Sequence, residues 1–168
     1  MKTRRDGTEE RTTFRKEENA MNAKDNVDIG VRASWHFEQV RDGRIIAVRD
    51  VPNLVVNVGL DRLCSMSFQT STVQDKYGWT AVGTDAAAPA VGNTALGTES
   101  NRVANVYTKG ATGVCNMSSS HTGLTITASE AGLFSTNSAG FMFNRATYSP
   151  ATLTSGDTLN VVVTVSFT

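Results

Sequence analysis

The sequence predicts an all-β chain: an antiparallel β-sandwich, jelly-roll or immunoglobulin-like, with one short helix and an extended N-terminal arm. Three observations predict it. Between residues 29 and 168 several short runs alternate apolar and polar residues, the period of a strand with one buried face. Threonine, serine and small loops separate these runs, as they do in sandwiches. Charge is segregated, with 14 of the 32 charged side chains in residues 1–28 and only nine after Arg62.

Residues 1–28 hold seven basic groups and seven acidic ones, with Met1, Phe14 and Met21 as the only sizeable apolar side chains. Such a segment buries too little apolar surface to offset its own ordering entropy. Alone it is expected to be disordered, or transiently helical between about Thr8 and Ala23, and to order when another surface holds it. It reads as a docking arm, with Arg4, Arg5, Arg11, Phe14, Arg15 and Lys16 as its contact residues. Charge rather than an apolar stretch follows Lys2, Arg4 and Arg5, so no secretory leader is expected. Residues 29–168 form the sandwich domain.

The domain opens with Ile29, Val31, Ala33, Trp35 and Phe37 alternating with polar residues, a half-buried strand. Arg41-Asp42-Gly43-Arg44 then carries the Asp-Gly signal of a type I′ hairpin, and Ile45 to Val51 is the partner strand. Pro52 places that pairing at an edge or a bend. Leu60, Leu63 and Cys64 recur at helical spacing after Asn57, a candidate cap. Residues 67–78 read as a loop, and Trp79 to Val82 as a short strand. Residues 83–101 are a long small-residue loop, of the kind that is functional or packed over the body. Further strands are predicted at Val103–Thr108, Leu124–Ala128, Gly132–Phe134 and Phe141–Tyr148. The last strand, after the turn at Ser155-Gly156-Asp157, points Leu159, Val161, Val163, Val165 and Phe167 to one face.

The composition excludes several functions. Sixteen basic and sixteen acidic residues balance, so no global positive field favours nucleic acid. The apolar stretches fall far short of the roughly 18 residues of a membrane-spanning helix, and no membrane partner is expected. Two cysteines and two histidines give no disulfide framework or ordinary zinc site, and no cofactor or metal is expected. Cys64 and Cys115 read as reduced thiols that pair only if the fold brings them together. His36 reads as a strand residue and His121 as a loop residue without the setting of a catalytic triad. Asp85, Glu99 and Glu130 are too isolated in sequence to suggest a carboxylate pair or metal cage.

Four charges stand out in the weakly charged C-terminal part. Glu99 and Arg102, three apart, are expected to form a loop clamp. Glu130 and Arg145, each beside an apolar strand run, are expected to pair across strands. Tyr77, Trp79, Tyr107 and Tyr148 are the candidates for a surface aromatic platform, with core packing as the competing role.

The blocks then resemble a family. Asn53-Leu54-Val55-Val56-Asn57-Val58-Gly59-Leu60-Asp61-Arg62-Leu63 resembles the opening of small virion proteins of tailed bacteriophages. Val82 to Asp85, Thr94 to Glu99 with Arg102, Ile126-Thr127 with Glu130 to Phe134, Met142 to Arg145 and Ser155 to Leu159 extend the likeness over about residues 53–168. Members are tail-fibre or minor structural proteins, so the resemblance implies a β-sandwich without enzymatic activity. Ala128-Ser129 before Glu130 departs from the pattern, and the charged arm has no counterpart in it. The expectation is a homo-oligomeric structural subunit of the virion. Its place is the tail or neck, as a fibre, collar or adaptor element, with other virion proteins as partners. The alternatives are a capsid decoration protein or head fibre, and a host-glycan or receptor-binding module.

Overall fold

The structure is a computed structural model that describes residues 30–68 and 76–168. The docking-arm residues, and most of the loop read at 67–78, lie outside the described residues. Among the described residues, ten strands and one helix follow in chain order: β1 Val31–Arg41, β2 Arg44–Pro52, β3 Leu54–Val55, α1 Asn57–Phe68, β4 Trp79–Gly83, β5 Glu99–Ala104, β6 Val106–Lys109, β7 Val114–Thr122, β8 Thr127–Phe134, β9 Met142–Thr152 and β10 Thr158–Phe167. They form two five-stranded antiparallel sheets, ordered β2-β1-β10-β7-β6 and β3-β9-β8-β4-β5. The chain is therefore the predicted all-β sandwich with one short helix.

The first sheet is centred on β1 and β10, whose alternation is the clearest in the sequence. Trp35 pairs with Val163 and Phe37 with Val161. Their inward faces, with Leu159 and Val165, are almost fully buried against Leu133, Ala146, Tyr148 and Ala151 of the second sheet. Asp42 and Gly43 both take positive φ, 48° and 73°, the conformation a type I′ turn demands. β2 is an edge strand that ends at Pro52, where the missing N–H costs no ladder bond.

The chain changes sheets twice across a single residue, at Asn53 between β2 and β3 and at Asn105 between β5 and β6. The run expected as one strand from Val103 to Thr108 is thus two strands in different sheets. Conversely, Leu124–Ala128 and Gly132–Phe134 are not two strands. Thr127–Phe134 is one continuous strand, in which buried polar Ser129 and Glu130 interrupt the apolar pattern and the register with β9 shifts between Ala128 and Glu130. β7 was not expected, and His121 lies within it rather than in a loop. Cys115, Met117, Ser119 and His121 face inward against Val165, Val163, Val161 and Leu159, but two of the four are polar and hide the alternation. Phe167 shares the inward face of β10 yet is 40% exposed where the sandwich opens.

Residues 84–98 cover the outer face of the second sheet, and α1 packs on β9 with Val58 toward this outer cluster and Leu63 toward the core between the sheets. Val56 and Leu96 pack there on Ala81, Phe134 and Met142, with Val58 and Trp79 against them. Asn57 does not act as a side-chain cap among the described residues. Its N–H donates to Val91 O at 2.8 Å and ties the start of the helix to the long loop. Gly59 faces β9 so closely that a Cβ would strike Phe143 O and lie 2.7 Å from Phe143 Cα. Gly59→Ala is therefore expected to destabilise the fold by roughly 1–3 kcal/mol, the scale of an overpacked core. Gly156→Ala, which meets open space, is expected to stay within about 0.5 kcal/mol. Urea unfolding of both variants checks the contrast, and equal midpoints would contradict the packing of α1 on β9.

Candidate functional site

The most highly organised polar centre is built on Glu130 of β8. Glu130 and Leu133 belong to one strand but opposite faces, and Glu130 points to the outer face, beneath residues 84–98. None of its surface meets solvent. A buried carboxylate of this kind persists only if its lone pairs are filled. Five donors do so. The N–H groups of Thr98 and Asp85 donate to Oε1 at 2.8 and 3.3 Å, and that of Gly97 to Oε2 at 3.0 Å. Arg145 adds Nε at 3.0 Å and Nη2 at 2.8 Å, both to Oε2. Arg145 is two positions from the residue directly opposite Glu130 on β9, so the pair is diagonal. Gly83 opposite Glu130 on β4 leaves the room: a Cβ there would sit 2.6 Å from Oε1.

Arg145 uses its remaining donors on the long loop. Nη2 donates to Asp85 Oδ2 at 3.0 Å and Nη1 to Asn93 Oδ1 at 3.1 Å. Asp85 Oδ1 in turn accepts from the Ala87 N–H, and Asn93 Oδ1 from the Ala90 N–H. The cross-strand pair expected from the sequence is present, but Asp85 is not isolated as its spacing suggested. The fold brings it from 60 residues away onto the same guanidinium.

The Glu99–Arg102 pair is also present, within β5 rather than in a loop. Arg102 Nε and Nη2 donate to the two carboxylate oxygens at 2.9 and 2.6 Å. Nη1 donates to Thr136 O and Ala139 O at 2.9 and 2.7 Å, and the guanidinium lies 3.7 Å above the Phe134 ring centroid. Its effect is to fasten the β8–β9 turn. A fourth carboxylate, Asp157, was missed. It is buried before β10, where it accepts from Arg41 Nε and Nη2 at 2.6 and 2.7 Å, from Gln39 Nε2 at 3.1 Å and from the Thr154 N–H at 2.9 Å. The Arg41 hydrogen bond and the Thr154 N–H hold its carboxyl well below the usual range. The only sequence signal was a turn Asp opposite a charged hairpin.

The four aromatics do not form one platform. Tyr148 is buried, its ring 4.2 Å from that of Phe37, and burial raises its hydroxyl pKa. Trp79 packs partly buried on the outer core. Tyr77 and Tyr107 do come together, on the wall of a half-open cavity of about 470 Å³ between the sheets and the end of α1. The Tyr77 hydroxyl donates to Gly59 O at 3.3 Å, and burial pushes its pKa up to about 12. Cys64, exposed on α1, and Cys115, on β7, are both free.

The two histidines occupy opposite settings. His36 lies on the outer face of the first sheet, with Nδ1 2.7 Å from Asp50 and Nε2 3.3 Å from Glu38. The Asp50 hydrogen bond leads the causes that raise its pKa above 6.5. His121 is fully buried, with Nδ1 2.6 Å from Asn101 Oδ1 and Nε2 3.4 Å from Ser119 Oγ. A neutral ring that donates from Nδ1 and accepts at Nε2 satisfies both contacts. Among the described residues no three His, Cys, Asp or Glu side chains converge as a metal site, and no helix is long and apolar enough to cross a membrane. Chemically, the charged clusters hold chain segments together through donors already in use. Comparison of the chain with protein-family models, curated proteins and solved structures finds no match.

Two predictions follow from these groups. Glu130→Lys replaces the acceptor of five donors by a cation facing Arg145. A cost of about 3–5 kcal/mol or more is expected, enough to abolish folding in a domain of ordinary stability. Circular dichroism and urea unfolding check it, and a folded protein with an unchanged midpoint would contradict the clamp. Burial lowers the His121 pKa to about 4. The unfolded chain takes up this proton near pH 6.5 and the folded chain does not, so the contribution is intact above about 6.5 and is lost as pH falls toward 4. NMR titration is expected to show His36 titrating above pH 6.5 and His121 unchanged down to about pH 5.

Proposed function

We propose that this chain is a non-enzymatic structural subunit of a tailed-phage particle, placed at the tail or neck as a fibre, collar or adaptor element. Its N-terminal arm is the anchor and its sandwich associates with further copies. The observation that carries this reading is the division of charge. Nearly half of the charged residues lie in the arm. Of the nine after Arg62, Asp85, Glu99, Arg102, Glu130, Arg145 and Asp157 are all engaged in ion pairs. The later strands therefore present mainly Ser, Thr and Asn outward, a surface suited to contact with other protein rather than to an isolated monomer.

The edges of the first sheet support the same reading. β2 exposes Ile45, Ile46 and Val48, and β6 exposes Val106 and Tyr107, each about half exposed or more. Edge strands that carry apolar side chains and unpaired backbone groups are templates for lateral association. The resemblance to small virion proteins, read from the sequence blocks, names the assembly.

Quantitative mass spectrometry of density-purified particles tests it by counting this chain against portal and major capsid protein. A ring or fibre set gives on the order of 6 to 36 copies. Hundreds of copies would move the chain to capsid decoration, and absence from the particles would remove the virion reading. Deleting residues 1–28 is expected to leave the sandwich folded but to prevent incorporation, and unchanged incorporation would refute the anchor. Docking through the arm is also expected to weaken as salt rises, because exposed ion pairs are screened.

A further inference from the structure

We infer that the outer face of the first sheet is an interface with a second copy of this chain, related by a two-fold axis that crosses β1 at Trp35. The inference rests on the reading that the sandwich associates with further copies, and it names the surface that does so. Trp35 and Phe37 of β1 point into the core, so Arg32, Ser34, His36 and Glu38, which alternate with them, point outward. The register continues this face across β10 and β7, where Thr164 and then Asn116 stand level with Ser34, and Asn160 and then Ser120 level with Glu38. Residues 84–98 cover the outer face of the second sheet. Among the described residues, no helix or strand packs over the outer face of the first.

The charge pattern chooses the occupant. The charged and titratable groups of the face all lie on β1 and β2: Arg32, His36, Glu38 and Asp50. His36 Nδ1 and Asp50 are paired at 2.7 Å, and Glu38 lies 3.3 Å from His36 Nε2. Arg32 has no ionic partner among the described residues. Arg32 and Glu38 are six residues apart on one face of one strand, roughly 20 Å. A two-fold axis in the plane of the interface and perpendicular to β1 reverses the strand. Set at Trp35, it brings Arg32 of each copy onto Glu38 of the other, and Ser34 onto His36, and opposes no like charges. An axis running along β1 would stack Arg32 on Arg32. The face is therefore self-complementary in one orientation, as an isologous contact requires.

The rest of the face suits a protein neighbour. Thr164 Oγ1 donates to Asn116 Oδ1 and Ser120 Oγ to Asn160 Oδ1, both at 2.8 Å. Side chains already tied in this way lose less freedom on docking. The aromatic side chains of β1 are turned into the core, so a sugar finds no ring here to stack on. Four long strands and the short β6, about 4.8 Å apart, make a face on the order of 20 Å by 25 Å. Two such faces bury on the order of 1,000 Å² in total, the size of a reversible contact rather than a permanent one.

Sedimentation equilibrium of the full chain tests the interface. A reversible dimer is expected. Arg32→Glu alone and Glu38→Arg alone each oppose like charges twice across the axis, and each is expected to weaken the dimer by at least about tenfold. Both residues lie on the surface, so melting temperatures near that of the parent chain are expected. An equimolar mixture of the two variants restores both unlike pairs, and is expected to form the heterodimer while each variant alone stays monomeric. The chain carrying both changes is expected to dimerise again. A parent chain that stays monomeric to about millimolar concentration overturns the inference. Association that the single changes leave intact, or that the mixture does not restore, places the contact on the β2 or β6 edge and also overturns it. A failed charge swap in a chain still counted in the particles removes this interface alone, whereas a successful swap in a chain absent from them removes only the virion reading.

Discussion

Glu130 carries a carboxylate out of water, and much of the molecule is arranged around the consequence. A buried charge is tolerated only when hydrogen bonds and an opposite charge replace its hydration. Here three of the five donors are backbone N–H groups of residues 85, 97 and 98, at the two ends of the long loop. The carboxylate therefore closes the loop as well as pairing with Arg145. Leu96 is then held over Ala81, Phe134 and Met142, and Val91 O is placed to receive the Asn57 N–H. A stretch of small residues that would otherwise be mobile becomes a wall of the fold. The net stabilisation is modest, because desolvating two charges offsets much of their attraction.

The same device recurs. Arg102 fastens the β8–β9 turn to β5, and Asp157 fastens the turn before β10 to the β1–β2 hairpin. Each cluster joins elements distant in sequence through charge-assisted bonds of about 2.6–3.1 Å. Charges spent in this way are unavailable to the surface. The strands then offer hydroxyls, amides and two apolar edges, while the dense mixed charge remains on the arm. This division is what the proposed role of a docked structural subunit calls for.

What the sequence revealed follows from how far each signal is local. β1, the Asp-Gly hairpin and β10 were legible because alternation and turn chemistry lie within a dozen residues. Glu99 with Arg102 and Glu130 with Arg145 were legible because charges beside apolar strand residues need partners. Their surroundings were not. Asp85 and Asn93 reach Arg145 only through the loop's path, which no local pattern encodes. β7 was hidden because Ser119 and His121 occupy inward positions, and the latter finds its partner, Asn101, on the other sheet. The break at Asn105 was hidden because both flanking segments are β-forming and only their sheet differs. Tyr148 read more readily as core than as surface, and it lies buried against Phe37.

The clamp is tested most directly by native-state hydrogen exchange at the amides of Asp85, Gly97 and Thr98. If Glu130 holds them, all three exchange only through sub-global or global opening, with protection comparable to that of the central strands β1 and β10. Exchange at the rate of an ordinary exposed loop, while β1 and β10 stay protected, would contradict the view that this buried carboxylate organises the fold.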